Sequence, residues 1–190
     1  MFRTIRFRIA LLGLLPLGLA LYFMIGSLAS RYAESRQMTE LQQATNLAKE
    51  VSAYVHETQK ERGLTAGFMG SGGTKFVSEL AEQRKVTDQR KKSFADFATE
   101  LDSSQYGQSF EQTLGAAVAK ANEVKSYRAK VDSQSISASE AVTLYTAHNA
   151  AMLDVAKAVS QVSDNADLAK TAAAYTNFLQ GKERAGIERA

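Results

Sequence analysis

From Ile9 to Ser30 the chain runs for 22 positions without a charged residue. No other stretch restricts the fold so strongly. About 20 consecutive apolar residues span the hydrocarbon core of a bilayer as a helix, and Gly13, Pro16, Gly18 and Gly26 are all tolerated in such a helix. Arg3, Arg6 and Arg8 sit on one flank with no acidic residue among positions 1–30. Basic residues mark the cytoplasmic side, so residues 1–8 are expected inside, 9–29 in the membrane and 31–190 outside. A cleaved signal peptide is the rival reading, with Ser27-Leu28-Ala29 as a loose cleavage site. The apolar run is longer than the 7–15 residues of a typical signal core, which favours an uncleaved anchor.

The anchor also explains the charge. Removing its three arginines from 23 basic and 20 acidic residues leaves 20 of each, so the net charge of +3 implies no polyanion partner and no nucleic acid. The absence of Cys excludes a disulfide scaffold, a thiol nucleophile and a Cys-ligated zinc site. His56 and His148, the only histidines, are too far apart in sequence to suggest a metal site. No metal and no cofactor are expected. No nucleophile–base arrangement can be assembled with any specificity, and no enzyme is expected.

Pro16 is the only proline, which leaves every later segment free to be helical. Apolar spacing of 3 and 4 predicts an all-α exported region, an antiparallel helical bundle. A first helix is expected over about Tyr32–Met69, with a stripe of Leu41, Ala44, Ala48, Val51, Val55, Thr58, Thr65 and Met69. The turn Gly70–Gly73 ends it, and Thr74 is expected to cap a second helix reaching Leu101, with Phe76, Leu80, Phe94, Ala98 and Leu101 on one face. A third carries Phe110, Leu114, Ala117, Ala121, Val124 and Val131. Ser137 and Glu140 form a capping-box pattern opening a fourth, with Val142, Tyr145, Met152, Ala156 and Val159. A polar break at Ser163-Asp164-Asn165 precedes a fifth, with Leu168, Ala172, Tyr175 and Leu179. Ala-rich seams bury little area per residue and suit a long thin bundle or a homodimer. The sequence stops at Ala190 in mid-helix, so truncation at the C-terminus is expected.

Two arginines break the pattern. The first stripe, extended past Thr58, lands on Arg62, among Gly63, Thr65, Ala66 and Gly67. In the last helix Lys182, Gly186 and Arg189 fall on the face of Tyr175 and Leu179, while Arg184 falls opposite. An ordinary ion pair explains a single inward arginine, and Glu61 and Glu188 are available partners. Two such arginines among small residues also fit a bound anion, because the guanidinium fork matches planar oxyanions. Arg84 leans inward as well, and a pair with Asp88 explains it.

The same segments carry a resemblance. Gln59-Lys60-Glu61-Arg62-Gly63-Leu64-Thr65-Ala66-Gly67-Phe68, continuing through Phe76, Leu80, Gln83-Arg84 and Thr87-Asp88, resembles the first signature of the nitrate- and nitrite-sensing (NIT) domain. Lys182-Glu183-Arg184-Ala185-Gly186-Ile187-Glu188-Arg189-Ala190 resembles the second. The resemblance implies an all-helical extracytoplasmic sensor of bacterial receptors, a family spanning chemoreceptors, sensor kinases, cyclic-dinucleotide enzymes and some soluble antiterminators, and a methyl-accepting chemotaxis protein is expected here. One arginine of each motif, here Arg62 and Arg189, would hold the anion, with Gly63, Thr65, Ala66 and Gly186 beside them. It implies a periplasmic domain on an inner-membrane anchor that passes a helix shift to a cytoplasmic output. The alternatives are a sensor of another anion or of a protein partner, and a ligand-free structural coiled coil in which both arginines are ion-paired.

Overall fold

The computed structural model describes residues 2–162 and 166–188, all-helical apart from short connections. Helix α1 runs over Phe2–Gly70, α2 over Val77–Glu100, α3 over Gln108–Asp132, α4 over Ala138–Val162 and α5 over Ala166–Glu188, with a 3₁₀ turn at Ser103–Tyr106. The expected break at Ser163-Asp164-Asn165 and the side chains of Leu41, Ala44, Leu168 and Ala172 lie outside the described residues. The chain divides into two compact units, Met1–Gln42 and Gln43–Ala190.

The first unit is helix alone. Residues Leu12–Thr39 are long and apolar enough to cross a membrane. Their apolar side chains, Leu12, Leu14, Leu15 and Leu17 among them, are exposed. Where the sequence predicts separate helices over 9–29 and 32–69, α1 is continuous. Nothing between Ile9 and Met69 is a strong breaker except Pro16, which a helix of this kind accommodates.

The second unit is a bundle. Gln83 on α2 donates to the Glu57 backbone carbonyl of α1, and the rings of Tyr54 and Phe94 stack at 5.9 Å. Residue numbers fall on one helix as they rise on the other, so α1 and α2 pack antiparallel, as the short glycine turn predicts. Asp132 meets Arg84 and Asp88 meets Arg128, which sets α3 antiparallel to α2. The Tyr127–Tyr145 contact and the approach of His148 to the Lys120 carbonyl set α4 antiparallel to α3. Glu183 meets Asn149, and Thr176 meets the Ala156 carbonyl, so α5 returns along α4.

The elements start and stop for local reasons. Ser71, Gly72 and Gly73 close α1 by donating to Phe68 and Met69 carbonyls, with Gly72 and Gly73 at φ 64° and 80°, the left-handed region where a Cβ is costly. Thr74 does not cap α2: its hydroxyl donates back to Ser71, and Phe76 stands at the N-cap with φ 62°. Phe76 is therefore not on the buried face of α2, and its ring lies over Gly67, where a Cβ would sit 2.7 Å away. The small residue at 67 is needed for that approach. The capping box at α4 forms in full: Ser137 N–H donates to Glu140 at 2.7 Å, and Glu140 N–H to the Ser137 hydroxyl at 3.2 Å.

Burial is layered. Leu47, Val51, Tyr54 and Val55 of α1, Phe94, Leu101, Phe110, Leu114, Ala117, Ala121, Met152, Val155, Ala156, Val159 and Leu179 form one apolar core. Toward the α1–α2 turn the interior becomes polar, with Thr58, Glu61, Arg62, Thr65, Thr87, Asn149 and Glu183 all buried. Buried polar groups persist only when they are partnered, so this layer must be a network.

Candidate anion-binding site

Arg62 is the largest fully buried side chain of the second unit at 1% exposure, and the 3–4 spacing of Val55, Thr58, Arg62 and Thr65 puts it there. Its Nη1 donates to Glu183 Oε1 of α5 at 2.5 Å and to Thr146 Oγ1 of α4 at 2.9 Å. The other oxygen of Glu183 accepts from Gln59 Nε2 of α1 at 2.6 Å and from Asn149 Nδ2 of α4 at 3.2 Å. Thr58 Oγ1, which approaches Asn149 Oδ1 at 2.6 Å, orients that amide. Three helices thus converge on one guanidinium.

The opposite edge of Arg62 is different. Nε is buried without a hydrogen-bond partner among the described residues. Nη2 faces Gly186, where a Cβ would lie 2.8 Å from it. Any larger residue at 186 would displace the guanidinium. The pair Nε–Nη2 is the edge of guanidinium that engages planar oxyanions with two parallel bonds.

Behind this site lies a second cluster. Glu61, fully buried, takes a bidentate bond from Arg128, with Nε at 2.7 Å and Nη2 at 2.9 Å, and a third from the Tyr145 hydroxyl at 2.6 Å. Burial alone would raise the Glu61 carboxyl, but Arg128 and Tyr145 together hold it below the usual range. Burial and the neighbouring Glu61 carboxylate push the Tyr145 hydroxyl well up, so it stays protonated and donating. Arg128 also holds Asp88 at 2.7 Å, and Arg84 binds Asp132 at 2.8 Å. Sequence spacing pairs Arg84 with Asp88. In the fold α3 intervenes and takes both partners.

The expected residues divide as follows. Arg62 and Gly186 are brought together. Thr65 is buried on the same stripe, and Ala66 is half-buried. Gly63 is exposed, with open space where a Cβ would stand; the close approach to Arg62 is at Gly186, and that at Gly67 is to the Phe76 ring. Arg184 is exposed, on the outward side. Arg189 lies outside the described residues. The carboxylate on Arg62 is neither Glu61 nor Glu188 but Glu183. The buried face of α5 passes through Thr176, Leu179 and Glu183, while Tyr175 and Lys182 are exposed. The stripe turns by four residues from Leu179 where three was read. That single step separates Glu183 from Lys182. Gln59, Thr146 and Asn149 were not legible, because polar residues on a helix surface carry no periodic signal.

His56 is exposed on α1 and meets Lys182 Nζ at 2.9 Å. Partial burial and the two nearby lysines, Lys182 and Lys60, lower its imidazole. Among the described residues no three His, Asp or Glu side chains are grouped to hold a metal ion.

The fold is thus a helical bundle with a polar interior layer, in which side chains of α4 and α5 hold the Arg62 guanidinium of α1. The family model described as "Nitrate and nitrite sensing" (NIT) matches residues 53–190, and the chain belongs to that family. It is similar to a nitrate regulatory protein of Klebsiella oxytoca, 28% identical over 162 residues, covering 85% of this chain and 40% of the relative. It is also similar to the solved structure of the NasR transcription antiterminator, with a TM-score of 0.77 and 25% identity over 83% of this chain and 43% of that one. The chain therefore spans less than half the length of the relatives it matches.

Proposed function

We propose that residues 43–190 sense nitrate or nitrite, held between Arg62 of α1 and Arg189 of the second motif, and that residues 9–29 anchor this domain in the bacterial inner membrane. The observation that carries the reading is the buried, unpartnered Nε of Arg62, with Nη2 close against Gly186, within a chain of the NIT family. A planar oxyanion satisfies two parallel donors at once, and the absence of a side chain at 186 lets the guanidinium keep its place. Thr65 and Ala66 belong to the same motif and shape the α1 side of the site, while Gly63 of that motif stands exposed beside it.

Membrane anchoring rests on the uncharged run with its flanking arginines. It places the sensor in the periplasm and makes a transmembrane receptor of chemoreceptor type, acting as a homodimer, the finer reading. A ligand shifts such a receptor only by its differential affinity for two arrangements of the helices. Nitrate bridging α1 and α5 supplies that difference. The basic excess is confined to the N-terminal cluster, which supports no nucleic-acid role for this segment.

The Arg62–Glu183 pair favours a second reading, in which the arginine is a structural ion pair and no anion binds. Calorimetric titration of nitrate and nitrite into the full chain in detergent separates the two. The expected outcome is saturable binding lost by about tenfold or more in Arg62→Ala, since a charge-assisted hydrogen bond contributes roughly 1.5–3 kcal/mol. Arg62→Lys, which keeps the charge and loses the fork, binds poorly too. Arg189→Ala weakens binding, and Arg184→Ala does not. Unchanged affinity in Arg62→Ala removes the site.

A further inference from the structure

The guanidinium proposed to hold nitrate already carries an anion from its own chain. Glu183 is buried at 6% exposure, its Oε1 on Arg62 Nη1 and its Oε2 on Gln59 and Asn149. Of these three partners only Arg62 is charged. The neutral amides of Gln59 and Asn149 keep the carboxylate in place without cancelling its charge. Thr58, through its contact with Asn149, fixes one of the two amides. The Arg62–Glu183 pair is thus close to neutral, and an arriving oxyanion adds an uncompensated negative charge to a space with little water, where like charges repel strongly.

We infer that Glu183 is an internal counter-anion that sets the affinity and the response of the site: nitrate docks on the Nε side of Arg62 against the charge of Glu183 and loosens the Glu183–Arg62 bond. This rests on the nitrate reading above. Glu183 stands on α5 and Arg62 on α1, so the contact weakened by the ligand is a strap between these two helices. Gln59, one α-helical turn before Arg62 on α1, keeps its hold on Glu183 Oε2. The strap therefore slackens at Arg62 and holds at Gln59, which biases α5 toward a tilt against α1. Arg189, six residues after Glu183 in the second motif, is proposed to contribute the positive charge that lets the anion compete.

Nitrate titrated calorimetrically into the full chain in detergent, as wild type, Glu183→Gln, Glu183→Ala and Gln59→Leu, tests this. The two Glu183 variants are expected to bind about tenfold more tightly, equal to about 1.4 kcal/mol. Gln59→Leu keeps the charge and leaves Asn149 on Oε2, and changes affinity by less than about threefold. In the wild-type chain with carbon-13-labelled glutamate, the Glu183 carboxyl resonance is expected to move as nitrate saturates, which reads the same contact even where a variant folds poorly. Wild-type binding with equal or weaker binding in both Glu183 variants overturns the inference and leaves the nitrate site standing. An unmoved Glu183 resonance at saturation overturns it as well. Failure of the wild type and of every variant to bind nitrate overturns both.

Discussion

Glycine positions near Arg62 look alike in sequence and differ in space. At Gly186 an added Cβ meets a buried guanidinium held at Nη1 by Glu183 and Thr146, whereas at Gly63 it meets nothing within 4 Å. Alanine is the better helix former by about 0.8–1.0 kcal/mol in both places. Gly63→Ala is therefore expected to raise stability by about 0.5–1 kcal/mol without changing nitrate affinity. Gly186→Ala is expected to weaken binding severalfold or more, because Arg62 must give way. Urea unfolding and titration of the two variants side by side check this; equal effects on binding would remove the steric argument.

His148 gives the residue scale a pH dependence. It is fully buried against Tyr54, and burial pushes its imidazole down to about 4. The unfolded chain binds this proton from about pH 6.5 downward and the folded chain does not, so stability rises with pH across that window. Going from pH 7 to pH 5 is expected to cost about 2 kcal/mol from this group. The exposed His56, also lowered, adds a small term of the same sign. Glu61, held low, contributes stability above about 4.5 that disappears only at still more acid pH. Unfolding free energies of wild type and His148→Phe at pH 5 and 7 separate the windows: the variant keeps the ring contact and is expected to show a flatter dependence between them.

At the level of elements, what the sequence reveals follows a simple division. Apolar stripes are legible because a core demands them: Phe110, Leu114, Ala117, Ala121, Val124 and Val131 on α3 are all buried as their spacing predicts. Arg62 was legible for the same reason, as a charge on an apolar stripe. The α4 capping box was legible because it is a local exchange of hydrogen bonds. Ser137→Ala is expected to cost about 1 kcal/mol in thermal or urea unfolding. Glu183 was not legible. In α5 the stripe rests on few large residues, and a one-residue shift in its phase exchanges Lys182 for Glu183. Thr74 was misread because a hydroxyl before a helix is a cap only if the backbone arrives in register, and Gly73 and Phe76 turn it elsewhere. The Glu61–Arg128 pair is tertiary, joining α1 to α3, and no local signal announces it. Removing one partner of a buried pair strands the other, so Glu61→Ala is expected to destabilise the fold by about 3–5 kcal/mol.

For the molecule as a whole, orientation in a membrane follows from the charges that flank the span. The family membership establishes neither anchor nor side, and the related regulators match less than half of their length here. The physical argument rests on the N-terminus. A helix whose exposed side chains over residues 12–28 are mostly apolar, Leu12, Leu14, Phe23, Ile25 and Leu28 among them, pays a large hydration penalty in water, at about 25 cal/mol per Å² of apolar surface, and loses it in lipid. Orientation follows from lysine and arginine near the span rather than from net charge. Arg3, Arg6 and Arg8 precede it, while Arg31, Glu34 and Arg36 follow it with one fewer positive charge. That margin is narrow, so orientation should respond to substitution. Fused after Ala190, alkaline phosphatase is expected to be active and green fluorescent protein dark, as both require of a C-terminus outside the cytoplasm. Replacing Arg3, Arg6 and Arg8 together by asparagine is expected to lower the phosphatase signal and raise the fluorescence. A fluorescent wild-type fusion in the membrane fraction would put the bundle in the cytoplasm and leave the nitrate site in place without a transmembrane role.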